Sequence, residues 1–392
     1  MIPEMNQTGA IVIGGHFHGL GLSRALWRKG IRVVLLDHQP CISRFSRSVW
    51  QYYTCPEPES PRFVPFLENL AVRRGLAGWT VFPTDDETVF SLSRNKTRLE
   101  PLLRPAVSPW RSIRYMYNKR DTYRMAAKLE IPVPATWYPA SEEELAGMPV
   151  LFPAIVKPAV MRPFFKKTGQ KVFPAQDMSG LIEAYRRACR VIPGQEILIQ
   201  EVIPEASRYL YSFCPFFRDG RVVASITARR WRQHPMDFGH ASTYAETMEI
   251  PEIEKLSVRF LRQVRYEGLC EMEFVRDPRD RQFKFLEANP RIWGWHSLAP
   301  AAGVNLPWLY FRNLTGTVLT PPVSFLKHVK WIRLVTDVPT ALSEMIRGRL
   351  TMTDYMKTFQ GNKTFAVWSR EDPLPFWGEL MMLPFLWFTR GF

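Results

Sequence analysis

Cysteine is scarce in this chain, five in 392 residues, and the odd number includes no C-x-x-C pair. That excludes a disulfide framework and a zinc site built on paired cysteines, and leaves reduced thiols as the expectation. Long apolar runs are missing too. Leu380 to Phe388 falls far short of the roughly 20 residues a membrane-spanning helix needs, and Pro384 interrupts it. The opening residues, MIPEMNQTGAIVIGG, have neither the basic segment nor the cleavage site of a secretory leader and run straight into an apolar strand. A cytoplasmic protein is therefore expected. Acidic residues are under-represented: 37 Asp and Glu face 52 Lys and Arg, a formal net charge of +15. Such a surplus implies an acidic partner, whether nucleotide phosphates, a polyanion, an anionic membrane face or an anionic acceptor substrate. The basic residues form no Lys/Arg block and bring no paired Cys/His ligands or RNP aromatics, so nucleic acid is not expected.

What remains is globular text. Hydrophobic residues make up 46% and charged residues 23%, which at this length predicts two or three domains with real cores. Ala10-Ile11-Val12-Ile13 reads as a buried strand, Gly19 to Lys29 as a helix, and Ile31 to Leu36 as a second strand ending at Asp37. This is a βαβ opening. Gly14-Gly15-His16-Phe17-His18-Gly19-Leu20-Gly21 lies between strand and helix, where free N–H groups can hold an anion or the glycines can simply permit close packing. Asp37 would suit a ribose. A further strand, Thr80 to Pro83, leads into the polar loop Thr84-Asp85-Asp86-Glu87. Near residue 115 the texture changes. A helix from Thr122 to Glu130 stops at Ile131-Pro132-Val133-Pro134, because each proline disfavours helix in the residue before it. Strands follow at Ala154 to Lys157 and Glu196 to Gln200, with a helix from Ser179 to Val191 between them, and antiparallel strands at 208–232 and 269–288.

Glu271-Met272-Glu273-Phe274 and Phe283 to Arg291 are alternating stretches joined by the turn Asp277-Pro278-Arg279-Asp280, and read as a hairpin. On a strand, residues two apart share a face, so Glu271 pairs with Glu273 and Glu287 with Asn289. The hairpin would gather Glu273, Glu287 and Asn289 into one patch of hard oxygen ligands, the set that suits Mg2+ bridging phosphates. Arg291 adds a cation able to clamp a transferring phosphoryl group.

With these residues the chain resembles an ATP-grasp enzyme of the carboxylate–amine ligase type. Asn118-Lys119, Ile155-Val156-Lys157-Pro158, Gln200-Glu201-Val202-Ile203-Pro204 and Leu286-Glu287-Ala288-Asn289-Pro290-Arg291 occur in that family's order. The resemblance implies an α/β plus α+β protein: a Rossmann-like pre-ATP-grasp domain at 1–115, then a two-lobed ATP-grasp fold. Its small lobe would cover 116–204 and its large lobe 205–320, with a helical, aromatic tail at 321–392. It implies ATP and Mg2+ as cofactors, two ions being expected and Mn2+ an acceptable substitute. Lys119 and Lys157 would contact the phosphates, Gln200, Glu201, Val202 and Ile203 would form the adenine hinge, and Glu205 would reach the ribose. Glu273, Glu287 and Asn289 would hold metal.

The lid departs from the family pattern, with one glycine and four cations between Ala159 and Val172; Arg162, Lys166 and Lys167 would reach phosphates as side chains. Arg229 to Thr243 would lie across the cleft, with Arg230 or Arg232 acting beside Arg291 on the γ-phosphate or the acceptor carboxylate. Trp293, Trp295 and His296 would line the same pocket. The expected reaction phosphorylates a small-molecule carboxylate and passes the acyl group to an amine. The alternatives are an ATP-grasp carboxylase or ligase with another nucleophile, and a non-catalytic nucleotide-binding protein docked on membrane or an acidic polymer. Related ligases are often dimers, so a homodimer is expected. The tail, with Trp377, Trp387 and Arg390, would give peripheral contact with the inner face of the membrane.

Overall fold

The computed structural model describes residues 8–237, 239, 241–322 and 324–390, the side chains of Arg162 and of 387–390 excepted. Five parallel strands open the chain: β1 (Ala10–Ile13), β2 (Val33–Asp37), β3 (Gln51–Thr54), β4 (Thr80–Pro83) and β5 (Arg104–Pro105), in the order β3-β2-β1-β4-β5. Ile11, Ile13 and Val34 face one hydrophobic core while Ala10, Val12 and Val33 face another. Both sides of the sheet are covered, which is why these strands are apolar throughout rather than alternating. The chain leaves β3 and crosses to the far side of β1 to form β4, so the C-terminal ends of β1 and β4 border the crevice where open α/β sheets bind ligands.

A second, antiparallel sheet consists of β6 (Thr136–Trp137), β7 (Ala154–Pro158), β8 (Phe173–Ala175) and β9 (Ile197–Glu201), ordered β6-β9-β7-β8. The helix Met178–Cys189 packs on it through Leu181, Ala184 and Tyr185. The third sheet is the largest. It runs through β10 (Leu210–Arg218), β11 (Arg221–His234), β12 (Ala241–Thr247), β13 (Gly268–Leu269), β14 (Glu271–Arg276) and β15 (Phe283–Asn289), and ends in β16 (Lys330–Ile332) and β17 (Lys363–Phe365). Its order is β15-β14-β10-β11-β12-β16-β17, with β13 beside β10.

The last two strands correct the expectation of a purely helical tail. Lys330-Trp331-Ile332 pairs with β12, which would otherwise be an open edge, and buries Trp331 and Ile332 completely. Farther on, Asp372 and Arg24 form a buried pair at 2.9 Å that joins this segment to the first helix, Phe17–Trp27; Arg24 also donates to the Val367 carbonyl. The helix Leu374–Met381 seats on the turn Ile42–Phe45 through Gly378, whose missing side chain leaves room for the Phe45 ring. Trp377 remains exposed, whereas the side chains of Trp387, Phe388 and Arg390 lie outside the described part. Among the described residues no helix is long and apolar enough to cross a membrane. Asp372→Asn removes the charge opposite Arg24 and is expected to cost about 2 kcal/mol, read as a lower midpoint in chemical unfolding. An unchanged midpoint would mean that this contact does not tie the segment down.

Candidate active site

Lys119 begins the helix Lys119–Lys128 and is fixed there because Asn118 caps it, its Oδ1 accepting from the Arg120 N–H at 2.9 Å. An ammonium at a helix N-terminus opposes the dipole, and this one is compensated by a direct ion pair with Glu287. Burial alone would raise the Glu287 carboxyl, but Lys119, aided by Lys171 and Lys157, reverses this and holds it well below the usual carboxylate range. Lys157 on β7 has no carboxylate partner among the described residues. Its ammonium donates to Tyr123 Oη at 2.7 Å and Gln200 Oε1 at 2.8 Å, and burial, with Lys119 nearby, lowers it to about 7.

The hairpin register places Glu273 opposite Glu287 and Glu271 opposite Asn289. Asn289 Nδ2 donates to Glu273 Oε1 at 2.7 Å and to Glu271 Oε2 at 3.1 Å. Glu271 is the deeper residue. It also accepts from Ser212 Oγ and Trp295 Nε1, and burial beside Glu273 raises it to about 7. Glu273 pairs with Arg230 across β10 at 2.5 Å, and the buried Arg230 Nε has no hydrogen-bond partner among the described residues. The three expected metal ligands are thus neighbours, with Lys119 and Arg230 lying against the two carboxylates. Among the described residues no three His, Cys, Asp or Glu side chains form a closed metal cage. Two carboxylates and an amide make an open oxygen site of the kind Mg2+ uses when phosphates complete its shell.

Two cavities meet at this cluster. One, of about 440 Å³, lies between the small sheet and the large one; it has Ile155, Val202, Ile203 and Leu286 in its walls and Lys119, Lys157 and Lys171 among its cations. The other, of about 520 Å³, opens at the C-terminal ends of β1, β2 and β4, and shares Lys119, Met161, Lys171 and Glu287 with the first.

Gln200, Glu201, Val202, Ile203 and Glu205 all line the first cavity. The Glu201 carboxylate is turned away to the Ala135 N–H at 2.9 Å and Arg279 at 2.7 Å, so it is not the acceptor for an adenine amino group that the sequence suggested. Glu205 pairs loosely with Arg208 at 3.4 Å.

Other expectations need correction. Arg232 is not in the cleft: it is locked onto Asp337 at 2.8 and 2.9 Å and onto Thr358. Lys166 and Lys167 sit on the helix Met161–Thr168 and diverge, Lys166 to Glu59 at 2.8 Å beside the second cavity and Lys167 to the Val191 carbonyl at 3.1 Å. Arg162 lies outside the described side chains. Arg291 is gripped by Asp86 at 2.7 and 3.2 Å, which ties the hairpin to the N-terminal sheet. Trp293, Trp295 and His296 belong to the core; burial lowers His296 to about 4, and its Nε2 abuts Gly21. Asp37 turns inward onto the N–H groups of Gly15 and Gln39, so it serves the glycine turn and not a ribose.

The residue that sequence reasoning missed is Lys171. It reaches the Gly239 carbonyl at 2.9 Å, touches both cavities, and is lowered by burial. Its only sequence signal was its place among the four lid cations.

Residues 240–319 match the family model for the carbamoyl-phosphate synthase L chain, ATP binding domain. Several solved structures resemble most of the chain. Biotin carboxylase from Campylobacter jejuni, in a β,γ-ATP complex, superposes with a TM-score of 0.64 at 15% identity, over 83% of this chain and 75% of that one. The fold is ATP-grasp. N5-carboxyaminoimidazole synthetase from Staphylococcus aureus, complexed with ADP, gives 0.64 at 13% identity over 87% and 86% of the two chains. L-amino acid ligase from Bacillus licheniformis gives 0.57 at 15% identity over 80% and 75%. The parallel sheet is the pre-ATP-grasp domain that precedes the two ATP-grasp lobes, and the first cavity lies between those lobes.

Proposed function

We propose that this protein is an ATP-dependent ligase that activates a carboxylate as an acyl phosphate and joins it to an amine. The observation that carries this reading is the meeting of the two cavities at Glu287 and Lys119. A nucleotide fits the first: its apolar wall suits a base, Lys157 and Lys171 lack carboxylate partners among the described residues, and the orphaned Arg230 Nε marks an unmet demand for an acceptor. Glu273, Glu287 and Asn289 would hold Mg2+, which offsets phosphate charge and orients the phosphoryl group.

Carboxylates are poor acyl donors, so a leaving group must be installed first. A carboxylate oxygen of the acid attacks the γ-phosphorus and ADP departs with the bonding electrons. The amine nitrogen then attacks the acyl carbon, inorganic phosphate leaves, and two protons are released from the original ammonium. Lys119, Lys157 and Lys171 bind and orient the phosphates. The lid helix, held to the N-terminal domain by Lys166 and Glu59, shields the mixed anhydride from water. The ion pairs on Glu273 and Glu287 keep these carboxylates charged at their stations.

Incubation with ATP, Mg2+ and a metabolite extract is expected to give ADP, phosphate and a product whose mass equals acid plus amine minus water. Phosphate release that requires bicarbonate and no amine would replace this reading with a carboxylase. Nucleotide binding without any turnover would replace it with a non-catalytic role.

A further inference from the structure

The second cavity is far larger than bicarbonate needs, and its charge is distributed unevenly. The wall supplied by the N-terminal domain carries the carboxylates of Asp37, Asp85 and Asp86 and no described lysine or arginine. Asp86 is neutralised by Arg291. Asp37 and Asp85 are held mainly by neutral donors: the N–H groups of Gly15 and Gln39 for one, the N–H and hydroxyl of Thr88 for the other. Such bonds fix direction without cancelling charge. His38 Nδ1 lies 3.6 Å from Asp37. His16, whose Nε2 lies 3.1 Å from an Arg333 guanidinium nitrogen, and His18 complete the imidazoles of the wall. The described cations of the cavity come from beyond the N-terminal domain. Lys119 and Lys171 stand where it joins the nucleotide cleft, and Lys166 is paired with Glu57 and Glu59.

We propose that this cavity receives the amine substrate, and that the substrate carries a positive charge, ammonium or guanidinium, against Asp85, with the buried charge of Asp37 adding to the field. This rests on the ligase reading for the identity of the site, but not for its preference. A phosphorylated or carboxylated amine would bring like charge against this wall, which partly desolvated surroundings penalise. The chain's overall surplus of positive charge serves the nucleotide and the surface, and this wall does not share it.

Asp85 offers a clean test because Asn caps a helix as well as Asp does. Asp85→Asn retains the bond to the Thr88 N–H and removes the charge. With enzyme loaded with a non-hydrolysable ATP analogue and Mg2+, calorimetry would compare putrescine and agmatine with 1,4-butanediol and phosphoethanolamine. The diamine and agmatine are expected to bind at least about tenfold more tightly than the diol. Asp85→Asn should erase most of that preference, with nucleotide affinity and unfolding midpoint unchanged. The proposal is overturned if the diol or phosphoethanolamine binds as well as the cations, if no cation binds, or if the substitution leaves the preference intact. Failure of the ligase reading looks different: cations bind with the stated preference, yet neither they nor any extract component elicits ATP turnover.

Discussion

Glu287→Gln is expected to reduce ATP-dependent turnover about 10²- to 10³-fold, the usual effect of removing one group that stabilises charge in a transition state. Glu287 stands at the junction of both cavities, faces Glu273 across the hairpin and holds Lys119. The amide keeps the shape and one oxygen but loses the charge that a divalent cation needs and that anchors the ammonium. Lys119 is then free to swing toward phosphate, so nucleotide affinity without metal should rise while the stimulation of binding by Mg2+ falls. Stability should move little, about 1 kcal/mol, because the Glu287 side chain is 38% exposed and water can replace much of what it gives Lys119. Calorimetric nucleotide titrations with and without Mg2+, beside steady-state kinetics, separate these effects. Turnover close to that of the parent would remove Glu287 from the metal site.

The hairpin was legible because strand text has period two: the same-face polar pairs Glu271 and Glu273, and Glu287 and Asn289, could meet only across a short turn, and the observed register does this. The segment expected across the cleft offered two candidates, Arg230 and Arg232. They too are two apart, yet Arg230 pairs with Ala245 and Arg232 with the adjacent Tyr244, so Trp231 is the extra residue of a bulge. The bulge turns Arg232 to the opposite face, where Asp337 of the helix Leu334–Ile346 receives it. A bulge of this kind carries no composition signal. The lid failed for a related reason. Read as a loop, its cations all seemed free to reach phosphate, whereas the helix Met161–Thr168 sends adjacent lysines in different directions, and among the described lid cations it is Lys171, beyond the Gly169 cap, that lines the nucleotide cleft. Arg291 and Asp86 are 205 residues apart, and nothing local in the sequence pairs them. The tail's strands were illegible because three-residue edge strands such as Lys330–Ile332 are too short to show a period.

Lys157→Met is expected to weaken nucleotide binding about 10- to 100-fold, the loss of charge-assisted hydrogen bonds to phosphate. It should also abolish a proton signal. In the free protein burial, reinforced by Lys119, lowers this ammonium from 10.5 to about 7. Between those two values the unfolded chain holds the proton and the folded, nucleotide-free protein does not. Folding therefore loses stability through this group as pH falls toward 7, and the loss is complete below it. Phosphate reverses the balance by favouring the charged form. Above pH 7 binding must then draw a proton from solvent, and affinity should decline as pH rises. At pH 8 the apparent binding enthalpy should differ between buffers of small and large ionisation heat, with an uptake approaching one proton more in the parent than in Lys157→Met. Lys171, lowered by the same burial, remains in both proteins and cancels from the comparison. The methionine keeps the length of the stem while dispensing with a buried charge, so the nucleotide-free variant should be no less stable near pH 7. Equal proton uptake in the two proteins would show that Lys157 does not meet the phosphates, and the cleft would then have to orient its nucleotide through Lys119, Lys171 and Arg230.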